Sequence, residues 1–393
     1  MKIAHIHNWH RFGGGSEIVV ETTVRLLQAR GHQVIQRTFD SRQFMHTLRG
    51  KVSAFFSGIY SPAGRKSIRR MIAESAPDIV HIHEVYPFFS PWILKDLNRA
   101  GIPVVMTCHD YRLTCPISTH FRNGETCTLC RDKNEWQCLL NNCRNNVFES
   151  AAFALRSVTA RALRLFTDNV TCYTTPSQFV KDWLVQSGFP AERIFVLPNV
   201  NPVQHPEPKT DMGCYIGYVG RISGEKGIGT LLDAARTTGR TVRLAGDYSA
   251  MPELVRTAPA NVEFIGKLNR DQLAEFYRHA QFVVVPSTCL ETFGLVALEA
   301  MSYGLPVVAS RTGGLQEIID DGRSGFLFEK GNAAELADIM KRLWGNSELI
   351  KQMGQVGRER AIREYNEDTY YSRLNRIYTE AMTLSENNGH PHA

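Results

Sequence analysis

Twelve short apolar runs, each followed by an amphipathic helical pattern, constrain this chain more than any other feature. They fall into two sets of six, at residues 3–7, 33–38, 79–83, 104–108, 172–175 and 195–198, then 215–220, 242–245, 262–265, 282–285, 307–310 and 326–328. Strands alternating with helices bury both faces of a parallel sheet, and each set matches one doubly wound domain. The polar stretch 201–211, which carries Pro202, Pro206 and Pro208, suits a linker between the two. The expected division is a first domain over 1–202 and a second over 203–367. The helical pattern from about 368 to 385 is expected to return to the first domain.

The segment Ser287 to Glu299 is the chemically richest. It leaves an apolar strand and enters a helix, so Glu291 falls in the turn and Glu299 on the helix. On one helix the two carboxylates would stand about 12 Å apart along the axis. Across a strand-to-helix turn, both can approach one ligand. The first amides of the helix, near Phe293, Gly294 and Leu295, would face the same ligand, and such a terminus favours phosphate.

This pattern of Glu291, seven residues and Glu299 resembles the signature of retaining glycosyltransferases of the GT-B fold, in particular family 4. The resemblance continues through Pro306-Val307-Val308-Ala309-Ser310, Gly313-Gly314-Leu315-Gln316-Glu317 and Asp321-Gly322-Arg323-Ser324-Gly325-Phe326. It implies an α/β chain with two Rossmann-like domains facing a cleft. It also implies transfer of a sugar from a nucleoside-diphosphate sugar to an acceptor hydroxyl of a glycan or lipid-linked glycan, in polysaccharide or lipid-linked glycan biosynthesis. Within the fold, a sugar-nucleotide epimerase or phosphorylase is the alternative. A non-catalytic binding module is the rival from another class, and the intact charged residues speak against it.

Ligands of such sheets bind beyond the carboxyl ends of the strands. The loop Gly220 to Gly227 carries Arg221 and Lys226, a planar fork and a point charge able to clamp a diphosphate. Two surface cations alone are ordinarily just solvated; beside the glutamate motif, the resemblance assigns them to the diphosphate, with no catalytic metal required. It assigns Glu299 to the ribose hydroxyls and Glu291 to the donor sugar, and Gly266 and Lys267 to the edge of the base. In the first half, Gly14 and Gly15 in the loop Arg11 to Glu17 would lie against the donor diphosphate. His109 matches a histidine that family members place beside the donor sugar, although a histidine at a strand end is often only structural. His5 and His81 are expected in the core, His83 with Glu84 on the acceptor side, and Asn199 bordering the acceptor. Front-face attack assisted by the leaving phosphate is the family's usual mechanism, so neither glutamate need be a covalent nucleophile.

Six of nine cysteines lie between Cys108 and Cys143, within an insert at about 108–145. Cys127, Cys130, Cys138 and Cys143 occupy seventeen residues, and a structural zinc is the expectation, with an iron–sulfur cluster or free reduced thiols open. A formal charge of +6 permits anionic substrates without demanding nucleic acid, which is not expected as a partner. The basic stretches Arg65-Lys66-Ser67-Ile68-Arg69-Arg70 and Arg156/Arg161/Arg164 suit either an anionic membrane surface or solvated helix faces. The chain enters its first strand with no signal-peptide pattern and has no spanning run, so a cytoplasmic, peripheral location is expected.

Overall fold

The computed structural model describes residues 1–9, 14–40, 56–204, 206–207 and 212–387. Arg11, Phe12 and Gly13 of the first glycine loop, and much of the proline-bearing linker, lie outside the described residues. By contacts the chain forms two compact units. The first comprises 1–120, 127–200 and 367–393; the second comprises 121–126 and 201–366.

In the first unit the strands run β1 (Lys2–Trp9), β2 (Gln33–Asp40), β3 (Ile79–Ile82) and β4 (Val104–Thr107), then, past the insert, Cys172–Thr175 and Ile194–Val196. Between them in sequence lies a two-stranded antiparallel ribbon, β5 (Phe121–Arg122) and β6 (Glu125–Thr126), which groups with the second unit, so the later pair are β7 and β8. The order β2-β1-β3-β4-β7-β8 is parallel throughout. β3 and β4 are buried along their whole length, which is why they are mainly apolar, with His81 the polar residue inside β3. The helix Pro62–Ser75 starts where Ser61 accepts a hydrogen bond from the Gly64 amide and Pro62 presets the first turn. Gly64 is required there, since a Cβ would meet Phe88 O at 2.7 Å. The helix Glu367–Asn387 buries Leu374, Ile377, Tyr378 and Ala381 against Ile3, Leu26 and Val105 of this unit.

The second unit repeats the architecture with β9 (Tyr215–Val219), β10 (Val242–Ala245), β11 (Val262–Gly266), β12 (Ala280–Val285), β13 (Val307–Ser310) and β14 (Gly325–Phe328). Its order is β11-β10-β9-β12-β13-β14, again all parallel. Two apolar clusters sandwich the sheet. One holds Val283, Leu298, Met301 and Leu315; the other holds Ile216, Leu231, Phe282 and Leu336. The strand order reverses between β9 and β12, and the crevice beyond the ends of those two strands is the default ligand position of such a sheet.

Candidate functional site

Two loops leave the β9/β12 switch point of the second unit, and they are stitched together. After β9, Gly224–Lys226 makes one 3-10 turn closed by Gly227 at φ +69°. A Cβ on Gly227 would lie 1.7 Å from Pro286 O, so only glycine lets this turn rest against the end of β12. The Glu225 carbonyl then accepts the amides of Thr288 and Cys289 at 3.0 and 3.1 Å.

This clasp aims Lys226 at Glu291, with Nζ 2.6 Å from Oε1. Ser287 Oγ donates to the same carboxylate oxygen. Burial opposes charge on both partners, yet their attraction and hydrogen bonding prevail. Lys226 is raised above the ordinary lysine value and Glu291 is held below the usual carboxylate range. Arg221 stands on the same loop with a largely exposed side chain, 3.5 Å from Glu225. A third loop supports Glu291 from behind. Gly313, at φ +53°, allows the Gly314 amide to donate to Glu291 O at 2.8 Å, where a Cβ on Gly313 would intrude to 2.0 Å.

The helix Leu295–Ser302 begins at Gly294, in the left-handed region at φ +119°, with no side-chain cap. Its first amides therefore lack an intrahelical acceptor and are oriented for an anion. Leu315 packs where a Gly294 side chain would stand, its Cδ2 2.6 Å from the position of a Cβ. Glu299 is buried one turn further along, where Tyr277 Oη donates to its Oε2 at 3.0 Å. Burial pushes this carboxyl up to about 7, with the tyrosine hydrogen bond opposing. Gly266 ends β11 at φ +77° and its carbonyl accepts the Gly246 amide at 2.8 Å. Lys267 is exposed, 3.5 Å from Asp247.

In the first unit, Gly14 is the extended N-cap of the helix Gly15–Ala29, and Glu17 is buried in its first turn. His109 follows β4 and is joined through its Nε2 to His83 Nδ1 at 3.0 Å. His83 is itself buried, with Nε2 on His5 Nδ1 at 3.1 Å. Both its ring nitrogens are thus engaged by neighbouring histidines. The cause is the register, which pairs His5 with His81 and stacks the His83 ring over them. Glu84 is likewise turned inward, ion-paired with Arg112, which also binds Asp110 Oδ1 at 2.8 Å. Asn199 is buried.

Two family descriptions match consecutive parts of this chain. "Glycosyltransferase Family 4" covers residues 13–201, and "Glycosyl transferases group 1" covers 202–360. The chain belongs to this glycosyltransferase family and has the GT-B fold.

This glycosyltransferase is similar to an uncharacterised glycosyltransferase of Methanocaldococcus jannaschii, at 26% identity over 91% of this chain and 93% of that one. It shares 38% identity with a D-inositol 3-phosphate glycosyltransferase of Acidothermus cellulolyticus, over only 33% of each chain. Among solved structures, sucrose-phosphate synthase from Thermosynechococcus elongatus superposes with a TM-score of 0.74 at 19% identity, covering 98% of this chain and 100% of that one. Anabaena HepE in complex with UDP and glucose gives 0.68 at 19% identity, covering 96% and 100%.

Three contributors to the glycosyltransferase's site went unnoticed in the sequence: Ser287, Tyr277 and the role of Gly313. Ser287 lay inside the quoted motif. Tyr277 is 22 residues from Glu299 and carries no local signal.

The cysteines of the insert come near one another, with Cys115, Cys138, Cys143 and Cys127 all close enough to act on Cys130. Cys130 and Cys138 pack with Ala154 beside Cys143 and Phe153, while Cys127 is less buried. Burial, then the neighbouring thiols, push Cys138 up to about 12, and Cys130 is raised in the same way. Among the described residues, the group whose ligand atoms all lie within 4.8 Å is His5, His81 and His83, not the cysteines. The basic stretches are largely spoken for: Arg65 and Arg69 both hold the buried Asp96, Arg70 pairs with Glu74, and Arg161 with Glu135. Among the described residues, no helix is long and apolar enough to cross a membrane.

Proposed function

We propose that this glycosyltransferase is a retaining enzyme that takes its sugar from a nucleoside-diphosphate sugar and passes it to a hydroxyl of a polysaccharide or lipid-linked glycan. The observation that carries this reading is the Lys226–Glu291 pair, fixed beside Arg221 and the uncapped start of the helix Leu295–Ser302 at the β9/β12 switch point. Lys226 stays charged, Arg221 is free to reorient, and the helix amides supply further donors. Together they offset the charge that develops on a departing diphosphate. Glu299, one turn along the helix, is the acceptor for ribose hydroxyls.

The reading is supported from outside by the Anabaena neighbour, whose structure holds UDP and glucose. Retention by front-face attack follows the family. Glu291 suits it, because an ionised carboxylate already held by Lys226 and Ser287 is a poor covalent nucleophile. His109 is assigned to the donor sugar by the family resemblance. Lys66, on the basic helix, remains for an anionic surface presenting a lipid-linked acceptor.

The test is to screen UDP-, GDP- and ADP-sugars for thermal stabilisation, since a donor that binds the folded state raises stability by mass action. A stabilising sugar nucleotide is then followed for nucleotide release and for the anomeric configuration of the product. Lys226→Ala and Glu299→Ala should each lose donor-dependent release while keeping the fold. Near-wild-type release by either variant, or an inverted product, would refute the assignment.

A further inference from the structure

The insert between β4 and the helix Val147–Ala162 is organised around thiols rather than around an apolar core. Cys130 and Cys138 are buried with Ala154, and the partly buried neighbours are Ile117, Leu139, Cys143 and Phe153. Beyond its burial, the Cys130 thiol feels Cys115, Cys138, Cys143 and Cys127, in decreasing order, and the Cys138 thiol feels Cys143 and Cys115. The Cys138 and Cys143 thiols are hydrogen-bonded to each other, and none of the five is in a disulfide. So small a core is weak support for a segment in which Ser118, His120, Asn123, Lys133, Asn142 and Asn145 are all left-handed. Segments of this kind are ordinarily held by disulfides or by metal.

Two features prepare the cluster for negative charge. Ser118 and His120, at φ +70° and +45°, put left-handed residues at alternate positions after Cys115. Burial raises the Cys115 thiol, and hydrogen bonds from the amides of His120, Thr119 and Ile117 to its sulfur oppose that rise. Successive amides converging in this way form a nest for an anion. A neutral thiol is a weak acceptor and makes little use of three donors, whereas a thiolate uses them all.

The second feature is Arg156. Its guanidinium lies over the rings of Phe153 and Tyr86, 3.8 and 4.3 Å from their centroids, and donates to Pro116 O at 3.0 Å. Its buried Nε has no partner among the described residues. Burial works against its charge, and the groups that favour it are Tyr86, Asp110 and Cys138. Asp110 is already bound by Arg112, so a thiolate at Cys138 would supply the anion that this buried cation lacks. His120 is not a further ligand, because its Nε2 meets Thr114 Oγ1 and its Nδ1 meets Cys127 O, both at 2.8 Å.

We propose that Cys115, Cys130, Cys138 and Cys143 hold a structural metal centre of four thiolates, with Cys127 at its rim and Arg156 offsetting its charge. Relative to the set expected from spacing, Cys115 takes the place of Cys127, which acts least on Cys130 and is less buried. Four thiolates suit a structural zinc ion or an iron–sulfur cluster, and each thiol gives up its proton on binding. Sulfurs on one zinc would stand about 3.8 Å apart. Among the described residues, no three of the cysteine sulfurs lie within 4.8 Å of one another. A single ion therefore draws the thiols inward, whereas a four-iron cluster, in which each thiolate binds a different iron, accepts a wider set. The centre is independent of the transfer reaction proposed above.

The test is to purify the full chain without chelator, once in air and once anaerobically, and to measure its metal and acid-labile sulfide. About one zinc per chain identifies a single ion, and iron with matching sulfide identifies a cluster; either supports the centre. Cys130→Ser and Cys138→Ser should each lose the metal and open the insert to limited proteolysis, whereas Cys127→Ser should retain it. Arg156→Gln should weaken retention against a chelator by about tenfold. Metal-free protein from both preparations would overturn the proposal, and that measurement on the wild type decides even if the variants do not fold. So would a disulfide among these cysteines, or metal lost from Cys127→Ser but kept by Cys138→Ser. Metal kept by both Cys130→Ser and Cys138→Ser but lost from His81→Phe would also overturn it, placing the ion on His5, His81 and His83 instead.

Discussion

Lys226 and Glu291, 65 residues apart in sequence, form a short ion pair at 2.6 Å in which neither side chain is more than 22% exposed. Such a pair is asymmetric in its consequences. Its net contribution to stability is small, because desolvation cancels much of the attraction, whereas deleting one partner strands the other. The same pair also presets the site. Under the proposed donor-binding role, Glu291 keeps Lys226 oriented before a diphosphate arrives, so part of the ordering cost is met during folding.

Lys226→Ala should therefore cost about 3 kcal/mol in stability, because Glu291 is left buried without its cation. Lys226→Met with Glu291→Leu should recover most of that loss, since the stranded charge is gone, and should remain inactive. Urea denaturation of the single and double variants measures both. Equal destabilisation by the single and double changes would show that packing, not the stranded charge, is responsible.

Glu299 gives the site a pH dependence. Its carboxyl is raised from the usual 4.5 to about 7 by burial. The folded state thus holds a proton that the unfolded state has released between those values. Stability from this group is fully present below 4.5 and lost as pH rises through about 7. At about 1.4 kcal/mol per pH unit the loss approaches about 3 kcal/mol. Glu299→Gln, which keeps a partner for Tyr277, should flatten the stability profile between pH 5 and 7 when measured by chemical denaturation. A ligand that hydrogen-bonds to the ionised carboxylate should bind more tightly as pH rises across the same window.

The central strands were legible because they are buried along nearly their whole length and are mainly apolar, whereas β2 and β11 at the sheet edges carry no buried residue. β4 and β13 show no polar alternation. The ribbon of β5 and β6 escaped notice because each strand has two residues and neither is fully buried. The charged residues of the second unit were legible because they cluster in two loops of one switch point. The inward turn of His83 was not, because it depends on which strand lies beside β1. Spacing places His81 and His83 on one face of their strand; only the pairing of His5 with His81 shows that the face is covered.

The glycine behind Glu291 should prove sensitive. Gly313 combines φ +53° with a Cβ position 2.0 Å from Glu291 O, so Gly313→Ala must push the loop that carries Glu291 forward. Gly322 has a similar φ of +78° but nothing within 4 Å of its Cβ position. Gly322→Ala should cost only about 1 kcal/mol, for the backbone conformation. Gly313→Ala should cost at least about 2 kcal/mol more and lower donor affinity. Thermal unfolding with and without the stabilising sugar nucleotide separates the two effects. Similar losses in both variants would mean that the loop tolerates the displacement.

Asp96 decides how the basic helix Pro62–Ser75 is read. Arg65 binds it through two bonds of 2.6 and 2.7 Å, Arg69 adds two more at 2.8 and 3.2 Å, and the carboxylate is 3% exposed. Burial alone would raise its pKa, but the two guanidinium groups outweigh burial and hold it below the usual carboxylate range. The contribution of Asp96 is thus present above its unfolded value and lost as pH falls through the lower folded one. Asp96→Ala should strand Arg65 and cost about 3 kcal/mol at pH 7, with the deficit shrinking as pH falls below 4. Lys66→Ala should leave stability within about 0.5 kcal/mol of wild type and weaken sedimentation with anionic vesicles. Urea unfolding at pH 7 and pH 3 tests the first statement. If Arg65→Ala reduced vesicle binding as much as Lys66→Ala does without destabilising the fold, the clamp on Asp96 would not be its role.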